Sequence, residues 1–287
     1  MQSRNPVLSR IGQEQPTKSG AGFAYDEGRN AYGQAANAAA TTATVDGTRP
    51  QQVPPAAGRV PAGQAVTLND VIVKTAISFG FLLVGAVIGW QYVNLMFVAM
   101  IIGFGLAMAN IFKKQISPPL VLAYAFIQGI FLGGISYWYD SWVQSVNPEY
   151  TGLVGQAIVG TLVAFGVMLA VYQSKIIKVN GKFAKIMTVA MISYLVIAVA
   201  SLVSSFFGVG GGFGFYGVGG LGVLLMAFAV LLASFSLMLD FESIKRGIAM
   251  GLPERESWRM AFGLLVTLIW LYLEILRLLA ILAAGRD

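Results

Sequence analysis

The side chains able to do chemistry in this chain form a short set. The 287 residues include no cysteine and no histidine. That removes thiol nucleophiles, disulfides, Cys- or His-ligated metal centres, His-based catalytic triads and the imidazole pH switch. Proton chemistry would have to run on carboxylates. Asp240 and Glu242 occur in Leu-Met-Leu-Asp-Phe-Glu-Ser-Ile-Lys-Arg-Gly, and Glu274 and Arg277 in Trp-Leu-Tyr-Leu-Glu-Ile-Leu-Arg-Leu-Leu. All four interrupt or border long apolar runs, where an ionisable group is costly unless it is paired or hydrated.

These runs dominate the composition. The chain is 56% hydrophobic and 11% charged, against about 45–50% apolar and about 25% charged for a soluble domain. Seven apolar segments follow one another at 71–92, 95–112, 119–139, 152–172, 184–207, 219–241 and 260–282. Each is near the ~20 residues that cross a bilayer as a helix, so the expected fold is an all-α membrane protein of seven transmembrane helices. Thr67-Leu-Asn-Asp70 has the spacing of a helix N-terminus and marks where order begins. Residues 1–66, rich in Gly, Ala, Gln, Thr and Pro, lack any apolar period and read as a disordered tail. No continuous apolar run of a cleavable signal peptide appears in residues 1–50.

The net charge of +6 would suit nucleic-acid binding, but its distribution points to topology instead. Lys113 and Lys114 follow the second segment; Lys175, Lys178, Lys182 and Lys185 follow the fourth; Lys245, Arg246, Arg255 and Arg259 follow the sixth. The alternate connections hold only the acids Asp140 and Glu149. The positive-inside rule then places the N-terminal tail and the basic connections in the cytoplasm and the C-terminus outside. Trp90, Tyr92, Tyr137, Trp138 and Trp142 fall at the expected outer ends, as an interfacial belt requires. Trp258 marks the inner start of the seventh helix, and mid-helix Trp270 is assigned to packing. Gly85/Gly89 and Gly129/Gly133 are small-xxx-small pairs suited to close helix contact. The glycine run 208–222 reads as a flexible outer loop, with no following Lys to make it a phosphate cradle.

Glu274 lies fourteen residues into its expected span, about 21 Å along the helix axis, past the middle of a ~30 Å core. Arg277, three residues on, can pair with it along one face. A self-neutralised structural pair and a role on a permeation path stand as equal readings. Asp240 is expected near the cytoplasmic interface, where a solvated helix end beside Lys245 and Arg246 competes with a titrating switch; Glu242 reads as interfacial. Burial and a nearby cation act oppositely on a carboxyl, so a carboxylate between the two influences can titrate near neutrality.

With its seven spans and these motifs, the chain resembles the Bax inhibitor-1/YccA family, also called the transmembrane Bax inhibitor motif family, in its bacterial branch with a long N-terminal tail. The resemblance is carried by Ser-Arg-Asn-Pro-Val-Leu at 3–8, Val-Thr-Leu-Asn-Asp-Val-Ile-Val-Lys-Thr-Ala at 66–76, Leu-Asp-Phe-Glu-Ser-Ile-Lys-Arg-Gly at 239–247 and the helix-seven motif at 270–279. It implies a bundle whose hydrophobic seventh helix is central and surrounded by the other six. It also implies a pH-sensitive calcium leak of the bacterial inner membrane, with calcium as cargo and no resident cofactor or enzymatic activity. In that picture an Asp near the inner end of helix six pairs with an Asp on helix seven and closes the path. Asp240 occupies the first position, in Asp-Phe-Glu where the family commonly has Asp-Thr-Gln. Aligned on residues 275–277, the second position holds Thr267, and Glu274 follows two turns later on the same face. Either Asp240 bonds to Thr267, or Glu274 has a separate role deeper in the path; Asp240 and Glu274 differ too much in depth to touch.

Outer connections with acids and no bases would concentrate cations at the mouth, and calcium takes oxygen ligands. No EF-hand loop or acidic ring is present, so selectivity is not written here. The competing expectation is a regulatory membrane protein that binds and modulates a membrane-bound protease through the tail and basic connections. Enzymatic readings are weak: there is no His base for a rhomboid-type protease, no Gly-x-Gly-Asp site of the presenilin type, and no Lys in the seventh helix for retinal. Inverted repeats and Pro-broken helices of a secondary transporter are also lacking.

Overall fold

A computed structural model describes residues 65–217 and 219–285; nearly all of the 1–66 tail lies outside them. Among the described residues there are seven long helices and no strand. They are α1 (Leu68–Gln91), α2 (Leu95–Phe112), α3 (Pro118–Val146), α4 (Leu153–Gln173), α5 (Gly181–Phe206), α6 (Gly219–Ala249) and α7 (Ser257–Ala284). All seven are long and apolar enough to cross a membrane. In hydrocarbon every backbone N–H and C=O must be satisfied within its own segment, and helices do this without an edge. The chain is therefore a multi-pass membrane protein that alternates between a basic end, where α1, α3, α5 and α7 begin, and an opposite end.

Thr67 opens α1 as its sequence implies. Its Oγ1 accepts from Asp70 N at 3.2 Å, and its own N–H donates to Asp70 Oδ2 at 2.9 Å. Several helices outrun their apolar segments, and α1 and α5 each begin three residues early, at Leu68 and Gly181. α3 continues seven residues past Tyr139 to Val146, α6 continues eight past Phe241 to Ala249, and α7 starts at Ser257, three before Met260. Hydropathy stops at the first polar residue, whereas the backbone stops only at a breaker: Asn147-Pro148 after α3, Gly251 and Pro253 after α6.

α7 is the central element. In its most apolar stretch 56% is buried, against 17–22% for α1, α2, α4 and α5. It packs on α1, α3, α4 and α6 through residues such as Leu265, Leu271, Leu276 and Ala280, all fully buried. α5 reaches it through Tyr194, and α2 packs against α3.

The tightest crossing is α1 on α3. A Cβ on Gly85 would strike the Phe126 carbonyl oxygen, and one on Gly89 that of Ile130; from the other side, Gly129 and Gly133 abut the Leu82 and Ala86 carbonyls. Small residues allow this approach, and dispersion gained at short range drives association where lipid offers no hydrophobic force. The two small-xxx-small motifs, each suited to close helix contact, thus meet each other.

At the basic end the same elements are laced together. Val66 N donates to Leu252 O at 2.8 Å, and Ala65 bridges Pro253. Lys74 Nζ donates to Glu254 Oε1 at 2.8 Å and Ser257 Oγ at 2.7 Å, and lies 5.9 Å from the Trp258 ring centroid. Arg255 and Arg259 donate to the carbonyls of Ile116 and Lys114 in the α2–α3 connection. At the opposite end Trp90 meets Tyr137 edge-on at 5.3 Å.

Replacing Gly133 by Leu should force α1 and α3 apart at a cost of about 1–3 kcal/mol. A lowered thermal unfolding midpoint of the detergent-solubilised protein would report it. Gly105→Leu, at a glycine with open space beside it, should leave the midpoint nearly unchanged.

Candidate functional site

Thr267, Trp270, Glu274 and Arg277 are spaced three, four and three residues apart on α7, which aligns them on one helix face. This face carries polar groups at two levels. By the ~1.5 Å rise per residue, the seven residues from Thr267 to Glu274 separate the levels by about 10 Å.

The level nearer the basic end pairs α7 with α6. Asp240 lies nine residues before the last residue of α6, about 13 Å from that helix end by the helical rise. α7 presents Gly263 and, one turn on, Thr267 to it: a Cβ on Gly263 would stand 3.8 Å from Asp240 Oδ1, and Thr267 is the polar side chain against the carboxyl. Asp240 Oδ2 is buried without a hydrogen-bond partner. An unsatisfied buried acceptor costs on the order of 1–3 kcal/mol. Phe241, next to Asp240, packs on Phe165 and Tyr172 of α4.

At the second level the carboxylate is saturated, while Arg277 Nε is buried without a hydrogen-bond partner. Glu274 is 5% exposed. Its Oε1 accepts from Tyr194 OH at 2.6 Å and Trp270 Nε1 at 3.0 Å, while Oε2 pairs with Arg277 Nη2. The same Arg277 nitrogen donates to Tyr194 OH at 3.0 Å, and Tyr216 OH donates to Tyr194 OH, also at 3.0 Å. The guanidinium lies 3.8 Å over the Tyr216 ring, a cation–π contact strengthened by exclusion of water. A cavity of about 650 Å³ adjoins the cluster, lined also by Tyr139, Ser201 and Phe213.

Tyr216 belongs to the glycine run, and this corrects the loose outer loop expected there. Two 3-10 turns, Val209–Gly212 and Gly214–Gly217, fold the segment against the bundle. Gly214 takes φ 62°, and a Cβ on it would strike the Ser201 carbonyl oxygen. Ser201 Oγ accepts from Phe215 N at 3.0 Å, which directs Tyr216 inward. Phe213 meanwhile packs 4.8 Å from the Trp142 ring. Glycine serves here for left-handed backbone and close approach, not for looseness.

Of the residues singled out from sequence, Asp240 and Thr267 come together, and Glu274 and Arg277 come together. Glu242 joins neither level: it accepts from Tyr172 OH at 2.9 Å and from Arg246 Nε at 2.7 Å near the basic end. Trp270, read as packing, also bonds Glu274. Tyr194, Tyr216 and Lys74 were missed. The usable signal for Tyr194 was a tyrosine in mid-span, far from the interfaces that favour it; for Lys74 it was a lysine inside the first apolar segment. Tyr216 had no signal, because a glycine run does not reveal which way it folds.

Among the described residues no group of three or more acidic side chains is gathered to hold a metal.

Glu274→Gln should leave Arg277 as a buried charge without its counter-ion, at a cost of about 3–5 kcal/mol. The thermal midpoint should fall clearly below that of Asp240→Asn, and Glu274→Gln/Arg277→Met should recover part of the loss.

No curated protein matches the chain closely enough to lend it an activity. The family model described as Bax inhibitor 1 like matches residues 5–284, taking in both levels of α7 and the α6 segment around Asp240. By this match the chain belongs to the Bax inhibitor 1 like family.

Proposed function

We propose that the protein is a proton-regulated cation leak, with calcium as its cargo, in which the protonation state of Asp240 sets whether the path along α7 is open. The observation that carries this reading is the buried Asp240 Oδ2 without a partner, set against the central helix. The charges on α7, by contrast, pair with each other: Glu274 binds Arg277, Tyr194 and Trp270, although Arg277 Nε has no partner. Thr267 and Gly263 face Asp240 from α7. On its own helix, Glu242 and Arg246 engage each other and, through Tyr172, α4. A carboxyl left this way responds to hydration and protonation, because nothing else in the packed bundle satisfies it.

Charge distribution supports the direction of entry. The opposite end carries Asp140 and Glu149 and no Lys or Arg in its connections, a pattern that draws cations toward it. The basic end would face the cytoplasm of a bacterial cell by the positive-inside rule, with the C-terminus outside. Glu274 and Arg277 act in this reading as a fixed brace that holds α5 and Tyr216 against α7.

One observation favours a second role, in which a membrane-bound protease is regulated through the tail. Val66 and Ala65 are pinned to Leu252 and Pro253, which sets the residues just before α1 beside the turn that precedes α7. Removing residues 1–60 should abolish partner capture and leave flux intact if the tail serves a partner.

Calcium flux through the purified protein in liposomes at about pH 6, 7 and 8 tests the main reading, since this window brackets the range in which a perturbed carboxyl switches. Wild type should show pH-dependent flux, and Asp240→Asn should lose that dependence. Unchanged pH dependence in the variant removes Asp240 as the switch, and no flux above empty liposomes removes the leak.

A further inference from the structure

A second cavity, about 1170 Å³, lies between α1 and α4 with α7 as its floor. It runs along α1 from Leu68 to Gln91 and along α4 from Val154 to Gln173. At the helical rise these are about 35 and 28 Å, the full depth of a bilayer core. The glycine contacts that hold α1 to α3 have no counterpart on this flank. Ile72, Leu83 and Val87 on one wall and Ile158 and Leu162 on the other remain 47–65% exposed.

Three observations at the basic end go beyond an apolar groove. Thr75 lines the cleft, and its hydroxyl is buried without a partner. It lies seven residues from the start of α1, about 10 Å in by the helical rise. Gln173 and Ile244 line the cleft and are followed by Lys175 and Lys245, both exposed and, among the described residues, in no salt bridge. Lys175 is also the one described non-glycine residue with positive φ, at 54°. Such backbone in a lysine is uncommon and recurs at ligand sites.

We propose that this cleft binds an anionic phospholipid from the leaflet at the basic end. Its acyl chain lies between α1 and α4, its ester carbonyl accepts from the Thr75 hydroxyl, and its phosphate meets Lys175 and Lys245. The apolar walls take the chain, the orphan hydroxyl takes the polar joint, and the two lysines supply the charge selection that a bulk lipid contact lacks. The site is separate from both polar levels of α7 and does not depend on whether the protein conducts.

Native mass spectrometry of the full chain, delipidated in detergent and offered phosphatidylglycerol and phosphatidylcholine of identical chains, tests the proposal. Two lysines at about fivefold each predict a preference for phosphatidylglycerol of roughly thirtyfold. Lys175→Glu/Lys245→Glu should erase that preference while leaving phosphatidylcholine retention as it was. Ala76→Trp, which fills the cleft from an exposed position on its α1 wall, should reduce retention of both lipids. Leu162→Trp on the α4 wall replaces it if circular dichroism shows lost helicity. Equal retention of the two lipids by wild type, or unchanged retention in the filled variant, overturns the site. A dimer mass without lipid assigns the cleft to a second copy of the chain and overturns it as well.

Discussion

A charge carried on a helix in the interior of a bilayer has to find its compensation in protein, because lipid offers neither counter-ion nor hydrogen bond. Glu274 and Arg277 impose that requirement on α7, and several elements are placed by meeting it. Tyr194 brings α5 against α7 at this depth, and Tyr216 brings the glycine-rich turns down onto Tyr194. Trp270 closes the remaining side from the same helix. The opposite end of the bundle is thus held by a polar knot in surroundings that are otherwise hydrocarbon-like. Asp240 shows what happens where the requirement is left unmet: one carboxyl oxygen at mid-helix lacks a partner. That contrast between a saturated and an unsaturated carboxylate, on facing helices, is the basis for assigning structure to one and regulation to the other.

Packing is similarly uneven around α1. On its α3 side, backbone meets backbone through four glycines. On its α4 side, branched and aromatic side chains keep the helices apart and leave a cleft open along the whole span. Small residues decide which neighbours close up in a membrane, so the distribution of glycine on α1 and α3 sets both the firm side of the bundle and the open one.

Much of this was legible in the residues themselves. The seven spans and their alternation follow from hydropathy and from where Lys113, Lys175 and Lys245 fall, since the bilayer enforces length and loop charge. Thr67 and Asp70 announced the start of α1, and Gly85, Gly89, Gly129 and Gly133 announced close helix contacts, though not that they face each other. Pairing of Glu274 with Arg277 followed from their spacing. Helix ends at Val146 and Ala249 were not legible from hydropathy, because helices project beyond the apolar layer. Nor was the company of Glu274: Tyr194 is eighty positions away, and no local pattern encodes which distant tyrosine faces a carboxylate. The inward fold of Tyr216 escaped for the same reason, as glycines permit many paths and the choice among them is made by Ser201 and the hydroxyl of Tyr194.

The spacing of the polar face of α7 has a consequence for how the chain can vary. Thr267 answers to α6 and Glu274 to α5, so the stretch between them works as a spacer of set length and phase. Apart from Trp270 and Tyr272, which bond Glu274 and Ser136, its residues are interchangeable in principle, since volume and hydrophobicity are what they supply. An insertion or deletion of one residue there is another matter. It would turn one level by about 100° against the other and leave either the Asp240 contact or the Glu274 knot facing the wrong neighbour. Sequence drift at the other positions of those two turns is therefore free in letter and constrained in count.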